Sequence, residues 1–304
     1  MKEENLNMKK KVYWWLCLIF IVVLVIGGYF GLQNHQQNKV QTIEKVKVNN
    51  KITPTFFFHG WGSSYHAEEK MTAAIKQAGV SNTIVRVNVD KKGHAKLIGK
   101  IGKRAKNPLV EVNFEDNKLS NAGGSYTNVY YTTGARYVRN AINVVNQKYG
   151  YHAINVVSHS MGNLEFINYL RHFHEQKNFP RINHWVSMAG HYDGIIGMND
   201  TPNKTKIDSK TGKPSRMQPE YRALLSLRKT FPREIRVLNI YGNLENGTNS
   251  DGDVTNASAK SLRYLINGRA KSYRELMIRG RSGQHSALHN NAQVNKALVN
   301  FIWK

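Results

Sequence analysis

One short stretch near the middle of the chain constrains the fold more than any other. Residues 152–163 read HAINVVSHSMGN, a largely apolar run that leads into Ser160 and then into an amphipathic segment. This pattern predicts a strand, a sharp turn with a serine at its apex, and a helix. Small residues are needed two positions before and after such a serine, and these are Ser158, where glycine is usual, and Gly162. The pattern is typical of a nucleophile elbow, although a serine that only caps the helix would look similar.

Strand-like and helix-like segments alternate along the rest of the chain from about Thr53. Repeated alternation of this kind predicts an α/β fold with a mostly parallel sheet and helices on both faces. The further predicted strands are Thr55–Phe58, Thr83–Val89, Leu109–Phe114, Trp185–Met188, Ile235–Tyr241 and Tyr273–Ile278, and the predicted helices are Val129–Tyr149, the segment from Met161, Leu262–Ile266 and Val294–Trp303.

A polar, proline-containing stretch, residues 191–232, breaks this rhythm. A structureless loop of such length is uncommon in a compact domain unless it has a function. The stretch therefore predicts an insertion that forms a lid over the site, with a disordered surface excursion as the alternative.

The N-terminus predicts where the protein resides. A basic cytoplasmic segment, 1–11, precedes an uncharged apolar run, 12–32, that is about long enough to cross a bilayer and has aromatic residues near both ends. A polar stalk, 33–52, then leads to the folded domain, 53–304. We expect a single-pass membrane anchor with the domain outside the cell; a cleaved signal peptide and a secreted domain are the alternative.

The composition narrows the possible partners and cross-links. Lys and Arg outnumber Asp and Glu by 44 to 20, which gives a net charge of +24. Such a charge favours an anionic neighbour, and for an external domain this would be an anionic envelope polymer. The positive charges are spread along the chain and no nucleic-acid motif accompanies them, so we expect no nucleic-acid partner. The single cysteine, Cys17, excludes an internal disulfide.

A serine hydroxyl needs a base to accept its proton. After an elbow serine, an orienting acid is expected next in the chain and a histidine last. His285 lies in a glycine-rich loop after the last predicted strand, which makes it the preferred base. His289, within or just before the final helix, is the alternative.

The acid is expected in the loop that follows the predicted strand Ile235–Tyr241. Asp251 in that loop is the preferred residue, and Asp253, Glu245 and Asp193 are alternatives. The density of Asn, Asp and Gly there also suggests a calcium loop, but the spacing does not match the helix-loop-helix pattern.

An oxyanion that forms on the substrate needs backbone N–H donors. One should come from Met161, directly after the serine, and the other from the loop after the first core strand, where Trp61 is the candidate.

From about Thr53 onward, the chain resembles the α/β-hydrolase superfamily. More narrowly, it is similar to an uncharacterised branch of cell-surface hydrolases of Gram-positive bacteria that is related to small lipases. The matching pieces, in the family's order, are His59–Gly62, His159–Gly162, Asp251–Val254 and Gly283–His285.

The resemblance implies serine esterase chemistry on a small-molecule or lipid-like ester. It implies Ser160 as nucleophile, His285 as base and Asp251 as acid, with no metal or organic cofactor. Two other functions remain open from the sequence: an acyltransferase that uses the same triad, and a non-catalytic surface-binding protein that keeps the fold.

Overall fold

A computed structural model describes residues 39–45, 52–120, 129–266 and 268–304. The chain divides into two units, residues 1–40 and 41–304, and the second contains the folded domain. The predicted segments 1–11 and 12–32 lie outside the described residues, as does most of the predicted stalk. Within the described ranges, no helix has both the length and the apolar character needed to cross a bilayer.

The domain is built around an eight-stranded sheet with the order β3-β2-β4-β1-β5-β6-β7-β8. All neighbouring strands are parallel except β3, which runs antiparallel to β2 at the edge. The predicted mostly parallel sheet is therefore confirmed. The strands are β1 (Thr55–Phe58), β2 (Ile84–Val89), β3 (Ala95–Ile98), β4 (Leu109–Phe114), β5 (Ala153–His159), β6 (Arg181–Met188), β7 (Arg236–Asn243) and β8 (Ser272–Arg279).

The helices fall largely where the sequence predicts them. The exceptions are α1 and the short helices α4, α5 and α6, which the sequence analysis does not predict. The described helices are α1 (His66–Gln77), α2 (Val129–Tyr149), α3 (Met161–Phe173), α4 (Pro219–Ala223), α5 (Leu227–Thr230), α6 (Asn256–Lys260), α7 (Leu262–Ile266) and α8 (Ala292–Ile302), with 3₁₀ turns at Gly280–Gly283 and His285–Asn290.

In the part of the chain that the structure describes, the two larger hydrophobic clusters of the core lie one on each face of the sheet. Side chains alternate between the faces of a strand, so Phe56 and Phe58 of β1 enter one cluster and Phe57 enters the other. Apolar residues of α2 and α3 pack in the first cluster, and those of α1 and α8 pack in the second. Helices thus cover both faces, as predicted, and β5 lies inside the sheet with its carboxyl end between them.

The stretch 191–232 is folded along its length. Three of its aromatic residues, Tyr192, Tyr221 and Phe231, are fully buried and belong to the first cluster. It carries the short helices α4 and α5 and an isolated bridge between Ile207 and Pro214. Residues 191–232 are therefore ordered in this structure, in contrast to the alternative of a disordered excursion. Their role as a lid stays a prediction.

Candidate active site

Ser160 lies at the sharp turn between β5 and α3. Its backbone has φ +51° and ψ −121°, a conformation that non-glycine residues rarely adopt and that marks stored strain. The chain can turn so tightly because Gly162 has no side chain. A Cβ at that position would lie 2.7 Å from the carbonyl oxygens of both Phe58 and His59. The small-residue requirement predicted for this position therefore has a direct steric cause.

Ser158 occupies the other position at which elbows usually carry glycine. Its hydroxyl donates to Asn163 Oδ1 over 2.7 Å and accepts from Trp185 Nε1–H over 2.8 Å. The amide of Asn163 in turn donates to the carbonyl of Met188 over 2.7 Å. The serine thus joins β5, α3 and β6 at the elbow through fully buried hydrogen bonds.

The structure brings Ser160, His285 and Asp251 into one hydrogen-bonded line. His285 Nε2 lies 3.0 Å from Ser160 Oγ, and His285 Nδ1 lies 2.9 Å from Asp251 Oδ2. All three residues are more than nine-tenths buried. Because an ionised carboxylate can only accept, Nδ1 carries the proton and Nε2 is left to accept from the serine hydroxyl.

The second oxygen of Asp251 is held by the backbone of its own loop. Oδ1 accepts the N–H of Asp253 over 3.0 Å and the N–H of Val254 over 2.7 Å. The backbone N–H of His285 also donates to the carbonyl of Asp251 over 2.9 Å. Burial by itself lowers the pKa of His285, but the hydrogen bond and negative charge of Asp251, with a contribution from Asp253, outweigh it and raise that pKa above its ordinary value.

Two glycines allow the loops that carry Asp251 and His285 to come together. A Cβ on Gly242, in β7, would collide with the carbonyl of Gly283, which lies two residues before His285. A Cβ on Gly283 would in turn collide with the carbonyl of Ile278 in β8. This close backbone approach brings the two loops into hydrogen-bonding contact.

The alternative acids lie in other environments. Asp253 is exposed, and its backbone N–H rather than its carboxylate supports the site. Glu245 pairs with Arg279 at 2.9 Å on the surface. Asp193 is buried, accepts the N–H of Gln218 over 2.7 Å, and has its pKa raised to about 7, chiefly by burial.

Beside His285 lies a largely buried group of titratable side chains, His159, His289 and Glu68. The sequence analysis considered His289 only as an alternative base and did not predict that these three side chains come together. His159 Nε2 lies 3.0 Å from the carbonyl of His285, to which it donates, and the His159 ring packs on His289 with centroids 3.9 Å apart. His289 Nδ1 lies 3.4 Å from Glu68 Oε2, and Glu68 is 1% exposed. Burial, with the charges of His289 and His285, holds the pKa of His159 well below its ordinary value.

His191 adds a further buried imidazole near His285. Burial and the charge of His285 lower its pKa to about 3. One sequence signal indicated that Glu68 is buried. Glu68 lies at helical spacing from the apolar residues Met71 and Ile75, so a helix at this position places all three on one face.

The turn after β1 lies against the serine. A Cβ on Gly60 would lie 2.9 Å from Ser160 Cβ. His59 fixes this turn, since its Nδ1–H donates to the Gly60 carbonyl over 2.9 Å and its Nε2 accepts the N–H of Phe114 over 3.1 Å. Trp61 is the next residue, and its side chain is 59% exposed.

Met161, the other expected donor, is the first residue of α3, at the partially positive end of that helix. In the part of the chain that the structure describes, no group of three or more His, Cys, Asp or Glu side chains is arranged to hold a metal ion.

A strained serine after a central parallel strand, with an acid and a histidine on loops after later strands, defines the α/β-hydrolase fold. Residues 42–304 match a family model described as "Alpha/beta hydrolase of unknown function (DUF915)", and the chain belongs to this family. The predicted superfamily is thereby confirmed, and membership supports a hydrolase activity.

Two of the solved structures that match this chain illustrate the shared fold. The lin2722 gene product of Listeria innocua superposes with a TM-score of 0.72 at 23% identity, over 83% of this chain and 94% of that one. A protein from Lactobacillus plantarum, described as a cell surface hydrolase, gives 0.61 at 19% identity, over 84% and 91%. Comparison with curated proteins finds no match.

Proposed function

We propose that the protein is a serine hydrolase that cleaves a carboxylic ester through an acyl-enzyme. The observation that carries this proposal is the line from Ser160 Oγ through His285 to Asp251, with distances of 3.0 and 2.9 Å. An unassisted serine hydroxyl is a weak nucleophile, and an adjacent base that is itself oriented by a third group removes this limitation.

In the first half of the reaction, Ser160 Oγ bonds to the ester carbonyl carbon as its proton passes to His285 Nε2. The tetrahedral intermediate then collapses, the C–O bond to the alcohol breaks, and His285 returns the proton to the leaving oxygen. Water repeats the sequence on the acyl-enzyme and releases the acid. Asp251 stays ionised throughout and stabilises the imidazolium form of His285.

The backbone amides of Trp61 and Met161 would stabilise the oxyanion. Trp61 follows Gly60, which lies against Ser160, and Met161 follows the serine at the start of α3; both placements support this role. Removing one such donor costs about 10²–10³-fold in kcat in known cases. Because both donors are main-chain groups, only a substitution by proline removes the N–H itself.

We expect the substrate to be a small-molecule or lipid-like ester. The side chain of Trp61, exposed beside the serine turn, supports an apolar acyl group. We further propose that residues 12–32 anchor the protein in the cell membrane with the domain outside, where its basic surface would keep it near an anionic envelope polymer.

Labelling with a fluorophosphonate probe tests the catalytic proposal. The purified full-length protein should become labelled, and Ser160→Ala and His285→Ala should each abolish the labelling. Ser282→Ala, which removes an exposed hydroxyl close to the histidine loop, serves as the matched control and should label normally. A folded wild-type protein that resists the probe, with and without detergent, would contradict the proposal.

Cell fractionation tests the anchoring proposal. The full chain should stay with membranes during alkaline extraction, and protease added outside intact cells should remove the domain. Release of the protein at high pH, or recovery of a shortened chain from the medium, would favour the cleaved signal peptide.

A further inference from the structure

A cavity lies at the end of the sheet opposite to the catalytic serine, where β6, β7 and β8 begin. It has a volume of about 690 Å³, within the range of small-molecule sites. Its walls include Arg181 at the start of β6, Arg236 at the start of β7 and Ser272 at the start of β8. Because these strands are parallel, their first residues lie at one end of the sheet. The loops that carry Ser160, Asp251 and His285 follow the last residues of their strands, at the opposite end. The two ends of the sheet are separated by the length of β6, which has eight residues and spans roughly 25 Å.

The cavity is strongly positive. Among the described residues, five cationic side chains line it against one acidic side chain, that of Glu234. Within the described residues, none of the five makes an ion pair or a side-chain hydrogen bond, so their charge is not neutralised by the protein itself. The five are Arg181, Arg236, Lys271, Arg274 and Lys304.

Trp303, directly after α8, also lines this cavity. Trp303 is 4% exposed, and its indole N–H has no hydrogen-bond partner among the described residues. The indole nitrogen itself is closed off from solvent, so it does not donate to a ligand in this conformation. The positive field also affects His184 in the wall, because burial together with the charges of Arg236 and Lys271 lowers its pKa to about 4.

The spacing of the cations indicates the size of the ligand. They come from three adjacent strands and from the end of α8, and the outer two of these strands are roughly 10 Å apart. One phosphate group carries a charge of about −2, which is less than the excess of cationic over acidic side chains in the wall. We propose that this cavity binds a ligand with two or more phosphate groups, whose oxygens accept from the Arg and Lys side chains.

Calorimetric titration of the full-length protein with tripolyphosphate tests the proposal. We expect saturable binding that weakens as salt is added, because the contacts are ionic. Lys271→Gln/Arg274→Gln should bind at least about tenfold more weakly, since each lost charge-assisted hydrogen bond is worth that factor or more. The matched control Lys100→Gln/Lys103→Gln removes the same charge from exposed sites outside the cavity and should bind like the wild type.

Two further measurements separate the remaining cases. Lys304→Gln changes one exposed wall residue at the end of the chain and should also weaken binding, which covers the case in which the double variant does not fold. Citrate should bind much more weakly than tripolyphosphate. Absence of saturable binding, equal weakening in the control pair, or citrate binding as tight as that of tripolyphosphate would each overturn the proposal.

Discussion

Replacing Asp251 by asparagine tests the proposed triad most directly. The side-chain volume hardly changes, so the effect depends on which atom of the new amide faces His285. In the native site, Oδ1 accepts the N–H groups of Asp253 and Val254, and Oδ2 faces the imidazole. The amide oxygen of Asn will take the Oδ1 position, because only an oxygen can accept those two N–H groups. Its NH₂ then faces His285 Nδ1 and favours the tautomer with the proton on Nε2, which cannot accept from Ser160.

The structure sets the size of the effect. Turning the amide over to restore the productive tautomer would leave the two backbone N–H groups unsatisfied, at about 1–3 kcal/mol each. The productive form is thus disfavoured by about 2–6 kcal/mol, and at 1.36 kcal/mol per factor of ten this is a loss of about 30-fold to 10⁴-fold in kcat/KM. The upper end equals the loss of about 10⁴ known for the same substitution in another serine hydrolase.

The assay is hydrolysis of a short-chain p-nitrophenyl ester, together with the rate of fluorophosphonate labelling. Asp253→Asn is the matched control: it makes the same chemical change two residues away, on an exposed side chain, and should alter kcat/KM by no more than a few-fold. Both variants should unfold at nearly the temperature of the wild type. Two results would show that the argument from the N–H groups of Asp253 and Val254 is wrong. One is that Asp251→Asn keeps more than a tenth of the wild-type kcat/KM, and the other is that Asp253→Asn loses as large a fraction of kcat/KM as Asp251→Asn does.

Three further predictions concern pH and stability. Because the base must be neutral and the pKa of His285 lies above its ordinary value, kcat/KM should fall on acidification with a midpoint above pH 6.5; a midpoint clearly below 6.5 in the pH–rate profile would contradict this. Ser158→Ala should lower the free energy of unfolding by about 2–4 kcal/mol in denaturant titrations, because it leaves the Trp185 indole N–H and Asn163 Oδ1 without their hydrogen-bond partner. Ser158→Gly should be no more stable than Ser158→Ala, although glycine is usual at this position. Asp193 has a pKa of about 7 in the folded state, so the unfolded chain loses this proton first; the free energy of unfolding should therefore decline between about pH 4 and pH 7, and Asp193→Asn should make that decline shallower in chemical denaturation at several pH values.

The sheet could be predicted because most of its strands carry strong apolar patterns. The edge strand β3 was missed because only alternate residues in it are even partly buried, and a short, half-exposed segment has little periodic signal. Helix α1 was missed because its buried face includes Glu68 and Thr72, which interrupt the apolar pattern. In both cases the packing of the folded chain, rather than the local sequence, stabilises the element.

At the site, the elbow and the order of the candidate residues could be predicted, but the preference for Asp251 left Asp253 open as an alternative. Two carboxylates two residues apart in one polar loop are equivalent in sequence. The turn decides between them, because it directs the carboxylate of Asp251 toward His285 and the backbone N–H of Asp253 toward that same carboxylate. The buried contact between Glu68 and His289 joins distant parts of the chain, and no local pattern records such pairs.

The contact between Gly242 and Gly283 has a consequence for how this protein can vary. Even a methyl group on Gly242 would strike the backbone of the other loop, and one on Gly283 would strike the end of β8. Saturation mutagenesis should therefore find both positions as intolerant as Ser160, although neither carries a reacting atom. Insertions or grafts that reshape one loop will survive only if this contact is preserved. For variation and for engineering, the loops after β7 and β8 are inherited as one unit.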